Sequence, residues 1–100
     1  MPKLVRDLVP DIIREHGAIP KVRVLHDDKE YLSALQKKLI EEVKEYEEDP
    51  SLEELADVVE VVEALVEHVA HMYGDKKFER VRGKKREARG GFVTRQYLLD

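Results

Sequence analysis

The sequence predicts an all-α fold, a helical bundle built on a long antiparallel helix hairpin. Three observations lead there. Apolar side chains recur at the helical period through residues 29–48 and again through 52–73. A breaker, Asp49-Pro50-Ser51, separates the two runs and is short enough to send the second helix back along the first. Glycines stand where helices should stop, at Gly17, Gly74 and Gly90-Gly91. One hundred residues suit a single domain, taken as residues 1–100. Leu, Ile, Val and Phe total 30, too many for a disordered chain.

In chain order, residues 5–16 read as a short N-terminal helix that tolerates Pro10 near its start and is closed by Gly17. Residues 18–28 read as irregular, with residues 21–25 a candidate extended piece. A second helix is expected over residues 29–48. Ser51 and Glu54 form an S-x-x-E pattern, the capping box that opens a third helix. That helix should reach Tyr73, where Gly74 stops it. A fourth, basic helix is expected over residues 76–89. Residues 92–99 (FVTRQYLL) read as an extended C-terminal arm that docks.

Composition removes several function classes. There is no Cys, which excludes disulfide scaffolds, zinc ribbons and thiol catalysis. Ser33 and Ser51 are the only serines, so a hydroxyl nucleophile has little to draw on. No apolar run approaches the roughly 18 residues of a membrane span. No signal peptide precedes the first amphipathic segment, and a cytoplasmic protein is expected. Charged residues make up 40% of the chain, and their signs are segregated. Residues 30–67 hold 13 acids and 3 bases, whereas residues 76–95 hold 9 bases and 2 acids. An acidic centre and a basic tail together suit a metal with a phosphate ester.

Helical geometry divides the acids into two kinds. With Glu42 at zero on the second helix, Tyr31, Leu35, Tyr46, Leu39, Leu32 and Val43 fall between roughly 340° and 100°. Glu42 therefore lies inside the apolar arc, with Glu45 on its edge at about 300°. On the third helix Glu54 lies inside the equivalent arc of Val61, Leu65, Val58, Val69, Val62 and Leu55, with Asp57 on the edge. Glu53, Glu60, Glu63 and Glu67 cluster on the opposite face and need only solvent. Counting from the breaker, Glu45 should face Glu54, and Glu42 should face Asp57. Packed helices lie about 8–10 Å apart, a gap that inward-pointing carboxylates can span. Four converging carboxylates require a cation or protons. Ligation by oxygen alone suits Mg²⁺ or Mn²⁺ rather than zinc.

Plainer readings stay open at this point. Glu54 can simply close the capping box with Ser51, and Glu42 and Glu45 can pair with Lys38 and other bases. A ferritin-like di-iron centre needs Glu-x-x-His pairs, which this chain lacks. His68 stands about 16 Å along the helix from Asp57, so a metal role for His68 or His71 is disfavoured. Lys38 lies between Glu42 and Glu45 in angle, one turn earlier, and can either contact phosphate or neutralise the acids.

Glu41-Glu42-x-x-Glu45 followed by Glu54-x-x-Asp57 resembles the EExxE…ExxD signature of the all-α NTP pyrophosphatases. That superfamily includes MazG-like enzymes, dimeric dUTPases and phosphoribosyl-ATP pyrophosphatases. Two flanking segments narrow the likeness: Lys3-Leu4-Val5-Arg6-Asp7 with Pro10, and Lys85-x-x-x-Arg89-Gly90-Gly91-Phe92. They resemble the small, single-domain branch of house-cleaning nucleotide pyrophosphatases, and together the segments cover nearly the whole chain. The connector is short, with eight residues between Glu45 and Glu54.

The resemblance implies Mg²⁺-dependent cleavage of a standard or modified nucleoside triphosphate to the monophosphate and pyrophosphate. Glu42, Glu45, Glu54 and Asp57 become the metal ligands and catalytic acids, with Glu41 in a supporting role or none. Lys85 and Arg89, one helical turn apart, become phosphate contacts, and Gly90-Gly91 a close backbone approach to phosphate. Lys38, Lys3 and Arg6 are further phosphate candidates. For Arg89-Gly90-Gly91 the plainer reading is an ordinary helix C-terminus. The exposed part of the third helix's apolar arc, with the resemblance, implies a homodimer or higher homo-oligomer. The alternative function is a non-enzymatic helical interaction module with an acidic metal-binding face. Binding of nucleic acid through residues 76–95 is disfavoured, because the acidic centre repels duplex phosphates.

Overall fold

A computed structural model describes residues 2–100. It is all-helical, with four helices: α1 (Val9–Glu15), α2 (Asp28–Glu48), α3 (Leu52–Tyr73) and α4 (Lys77–Arg89). No strand occurs among the described residues. The chain divides into two compact units, Met1–Leu65 and Val66–Asp100.

In the first unit α1 is shorter than the expected 5–16. It starts at Val9, with Pro10 in its first turn. Pro fits there because its missing N–H is one of the helix's unpaired donors; a helix from residue 5 would have put its ring in the interior. Residues 2–6 are non-helical, and residues 18–26 form no regular element. Arg23 ties this irregular stretch to α2 through a two-pronged pair with Glu30, at 3.0 and 2.5 Å. The guanidinium hydrogen bond holds the Glu30 carboxyl below its ordinary range.

α2 begins one residue earlier than expected. Asp27 supplies the cap, its carboxylate accepting the Glu30 N–H at 2.9 Å. α2 and α3 pack against each other as the expected hairpin across the three-residue break. Ser51 Oγ accepts the Glu54 N–H at 3.2 Å and so opens α3. Leu35 on α2 and Val61 on α3 are buried, and Leu35 is only 2% exposed.

In the second unit α3 ends at Gly74, whose φ of +98° is reserved for residues without a Cβ and whose N–H reaches the Ala70 carbonyl at 2.9 Å. His68 is buried on this part of α3. Lys77 Nζ stands 5.7 Å from the Tyr73 ring centre, a cation–π contact at the start of α4. Residues 92–99 do not dock, and a turn opens the segment. The Arg95 N–H donates to the Phe92 carbonyl at 3.2 Å and closes a turn, with Arg95 itself at φ +60°. Phe92, Val93, Tyr97, Leu98 and Leu99 are all exposed. Among the described residues no helix is long and apolar enough to cross a membrane.

Candidate metal centre

The hairpin brings Glu42, Glu54 and Asp57 together. One carboxylate oxygen from each lies within 4.8 Å of the other two. The cause is local. Glu42 and Glu54 fall inside their helices' apolar arcs, so packing α2 on α3 carries both into the seam. Glu42 is 6% exposed, while Glu54 and Asp57 are half-buried. Glu45, on the arc's edge, is exposed and stands outside this tight group. The expected pairing of Glu45 with Glu54 is thus replaced by a meeting of Glu42 with both α3 acids. Glu45 still feels the cluster. A side-chain contact with Glu42, then the charges of Glu42, Glu54 and Glu41 together with burial, push its carboxyl above the ordinary 4.5. Glu54 is raised as well, first by burial, then by the charges of Asp57, Asp49, Glu42 and Glu53.

The capping-box reading of Glu54 is only half realised. Ser51 caps the helix, but its own N–H donates to the Asp49 carbonyl at 2.7 Å, not to Glu54. Glu54 Oε2 is buried without a hydrogen-bond partner, and so is Glu42 Oε2. Two orphaned carboxylate oxygens facing one seam are costly unless a cation or proton meets them. An oxygen-only donor set from acidic side chains fits Mg²⁺ or Mn²⁺.

The surrounding cations are already engaged. Lys38 Nζ lies 3.1 Å from Glu42 and 3.6 Å from Glu41, and its side chain is 15% exposed. Burial works to lower its pKa, but the pairing with Glu42 and Glu41 outweighs that, and the net shift is upward. Lys3 Nζ is 3.7 Å from Glu41. Arg6 reaches Asp57 at 2.5 Å and Glu60 at 4.0 Å. Glu41 thus joins the site as an anchor for Lys3 and Lys38. The pairing of Arg6 with Asp57 was not foreseen; the two are 51 residues apart, and no local pattern links them.

Lys85 and Arg89 lie exposed on α4 in the second unit. Gly90 there acts as a helix stop: its φ is +78° and its N–H donates to the Arg86 carbonyl at 2.7 Å. That donor is therefore spent on the helix and not offered to phosphate. Gly91 lies against the Arg86 guanidinium. An open groove of about 1360 Å³ lies between residues 2–13, residues 20–25 and α2. It borders Lys38 and Glu41 but does not include Glu42, Glu54 or Asp57.

A 45-residue stretch of the chain is 53% identical to an uncharacterized protein of Mycolicibacterium smegmatis, covering 45% of each chain. The chain thus spans less than half the length of that relative. No family model matches the chain, and no solved structure matches it.

Proposed function

We propose that the protein is a Mg²⁺-dependent nucleoside triphosphate pyrophosphohydrolase, releasing the monophosphate and pyrophosphate in a house-cleaning role. The observation that carries this reading is the cluster of Glu42, Glu54 and Asp57 within 4.8 Å, with Glu42 buried and one of its oxygens unpartnered. Its spacing is that of the pyrophosphatase signature, which supports the reading further.

Glu42, Glu54 and Asp57 would hold the ion, with Glu45 completing the set from the solvent edge. Mg²⁺ held there, or Mn²⁺ in its place, supplies charge neutralisation on phosphate oxygens and a more acidic bound water. The chain's own residues do the rest. Glu45, exposed beside Glu42 and outside the tight group, would be the carboxylate least engaged by the ion and so the one to accept a proton from water. Lys38 sits where it can exchange a carboxylate for a phosphate oxygen, and Lys3 and Arg6 line the same side of the first unit. Lys85, Arg89, Gly90 and Gly91 stay phosphate candidates within the second unit.

A second copy of the chain is the proposed partner. Leu52, Leu55, Val59 and Val62 on α3 follow a 3-4-3 spacing and are all exposed. That is the spacing of a helix–helix seam, which fits a homodimer or higher homo-oligomer. Incubation with a panel of standard and modified nucleoside triphosphates tests the activity. Magnesium-dependent monophosphate and pyrophosphate are the expected products. A chain that binds Mg²⁺ but turns over no nucleotide would instead be the helical interaction module.

A further inference from the structure

Residues 2–7 form no helix, yet both of their basic side chains end on the acidic hairpin. Lys3 meets Glu41 on α2. Arg6 meets Asp57 and Glu60 on α3, one nitrogen to each. The segment is therefore a strap laid across both helices and fastened by ion pairs. Its fastening is specific. Asp57 is one of the three clustered carboxylates, whereas Glu60 lies outside the cluster. Arg6 thus holds a cluster ligand from the solvent side, and the pair is half-exposed, at 52% and 38% for the two side chains. Exposed pairs of this kind are weak and exchangeable. Guanidinium is also a two-pronged binder of phosphate as well as of carboxylate.

We propose that Arg6 and a divalent cation compete for Asp57, so that cation binding unfastens the strap and frees Arg6 for an anionic phosphate chain. This rests on the metal-centre reading above. In this account Arg6 is a positioning residue whose partner changes from carboxylate to phosphate. Removing a structural Arg that holds Asp57 in place weakens cation binding, whereas removing a competitor strengthens it. Loss of the Arg6 charge by itself also favours a nearby cation, so a rise in affinity counts for competition only together with release of the strap.

The test is Mg²⁺ titration by calorimetry on the full chain, wild type beside Arg6→Gln, without nucleotide. The expected result is Mg²⁺ affinity raised by about two- to five-fold in Arg6→Gln, the scale of one exposed ion pair. Unchanged or weaker affinity in the variant overturns the competition. No Mg²⁺ binding to the wild type overturns the metal centre itself, and the competition with it. Hydrogen exchange on the wild type needs no variant. Amides of residues 3–9, Val9 with its bond to the Arg6 carbonyl above all, should exchange faster with Mg²⁺ than with a chelator, and equal or slower exchange contradicts the strap's release.

Discussion

Glu42 carries a structural cost that the proposed metal site would offset. It lies in the apolar arc of α2, where Leu or Val would pack better, and one of its carboxylate oxygens meets no donor. Lys38 neutralises the other oxygen at 3.1 Å. The side-chain hydrogen bond with Glu42 raises the Glu45 carboxyl above 4.5 and burial raises that of Glu54, with neighbouring like charges adding to both. A raised pKa means that the folded chain holds these protons more tightly than the unfolded chain does. Their contribution to stability is fully present below the unfolded value and is lost as pH rises through the raised one. In chelator, thermal stability should therefore fall as pH rises above about 4.5 through this window, and Mg²⁺ should restore it. Glu54→Gln should flatten that decline; a melting profile identical to wild type in both conditions contradicts it. Glu42 and Glu54 were legible as intruders because angular position follows from sequence alone. Arg6 on Asp57 was not, since it depends on the path of residues 2–7 through space.

At the scale of elements, local signals placed the helices well. Ser51 caps α3 as its S-x-x-E pattern indicates, and Ser51→Ala should cost about 1 kcal/mol in denaturant unfolding. The same kind of signal was present at Asp27, three residues before Glu30, and the boundary of α2 moves by one residue once that cap is counted. Pro10 set the start of α1 more tightly than apolar periodicity did. The tail was the opposite case. Its apolar residues suggested docking, but Arg95 adopts a left-handed conformation and the segment turns back at Phe92. Apolar composition alone does not say what a segment packs against. Leu35 on α2 is 2% exposed, so Leu35→Ala should cost about 2–5 kcal/mol by the same unfolding measurement. A cost under about 0.5 kcal/mol would show the hairpin seam to be placed elsewhere.

For the whole molecule, the segregation of charge now has a physical division. The acids of α2 and α3 split into a seam cluster and a solvated face, and the nearby bases Lys3, Arg6 and Lys38 are tied to the cluster's rim. The basic fourth helix belongs to the second unit. The exposed 3-4-3 stripe on α3 is the face proposed to meet a second copy of the chain. Analytical ultracentrifugation should give at least twice the chain mass for the wild type. Val59→Glu, which places charge in the stripe, should shift the protein toward monomer; a monomeric wild type contradicts the assignment. The central claim is that the carboxylates of the hairpin hold a catalytic cation. Its most direct measurement is Mg²⁺-dependent pyrophosphate release by the wild type beside Glu42→Gln and Asp57→Asn. Release should stop in chelator and fall on the order of 100-fold or more in either variant, the scale of losing one electrostatic stabiliser of a transition state. Release that persists in chelator and survives both substitutions would contradict it.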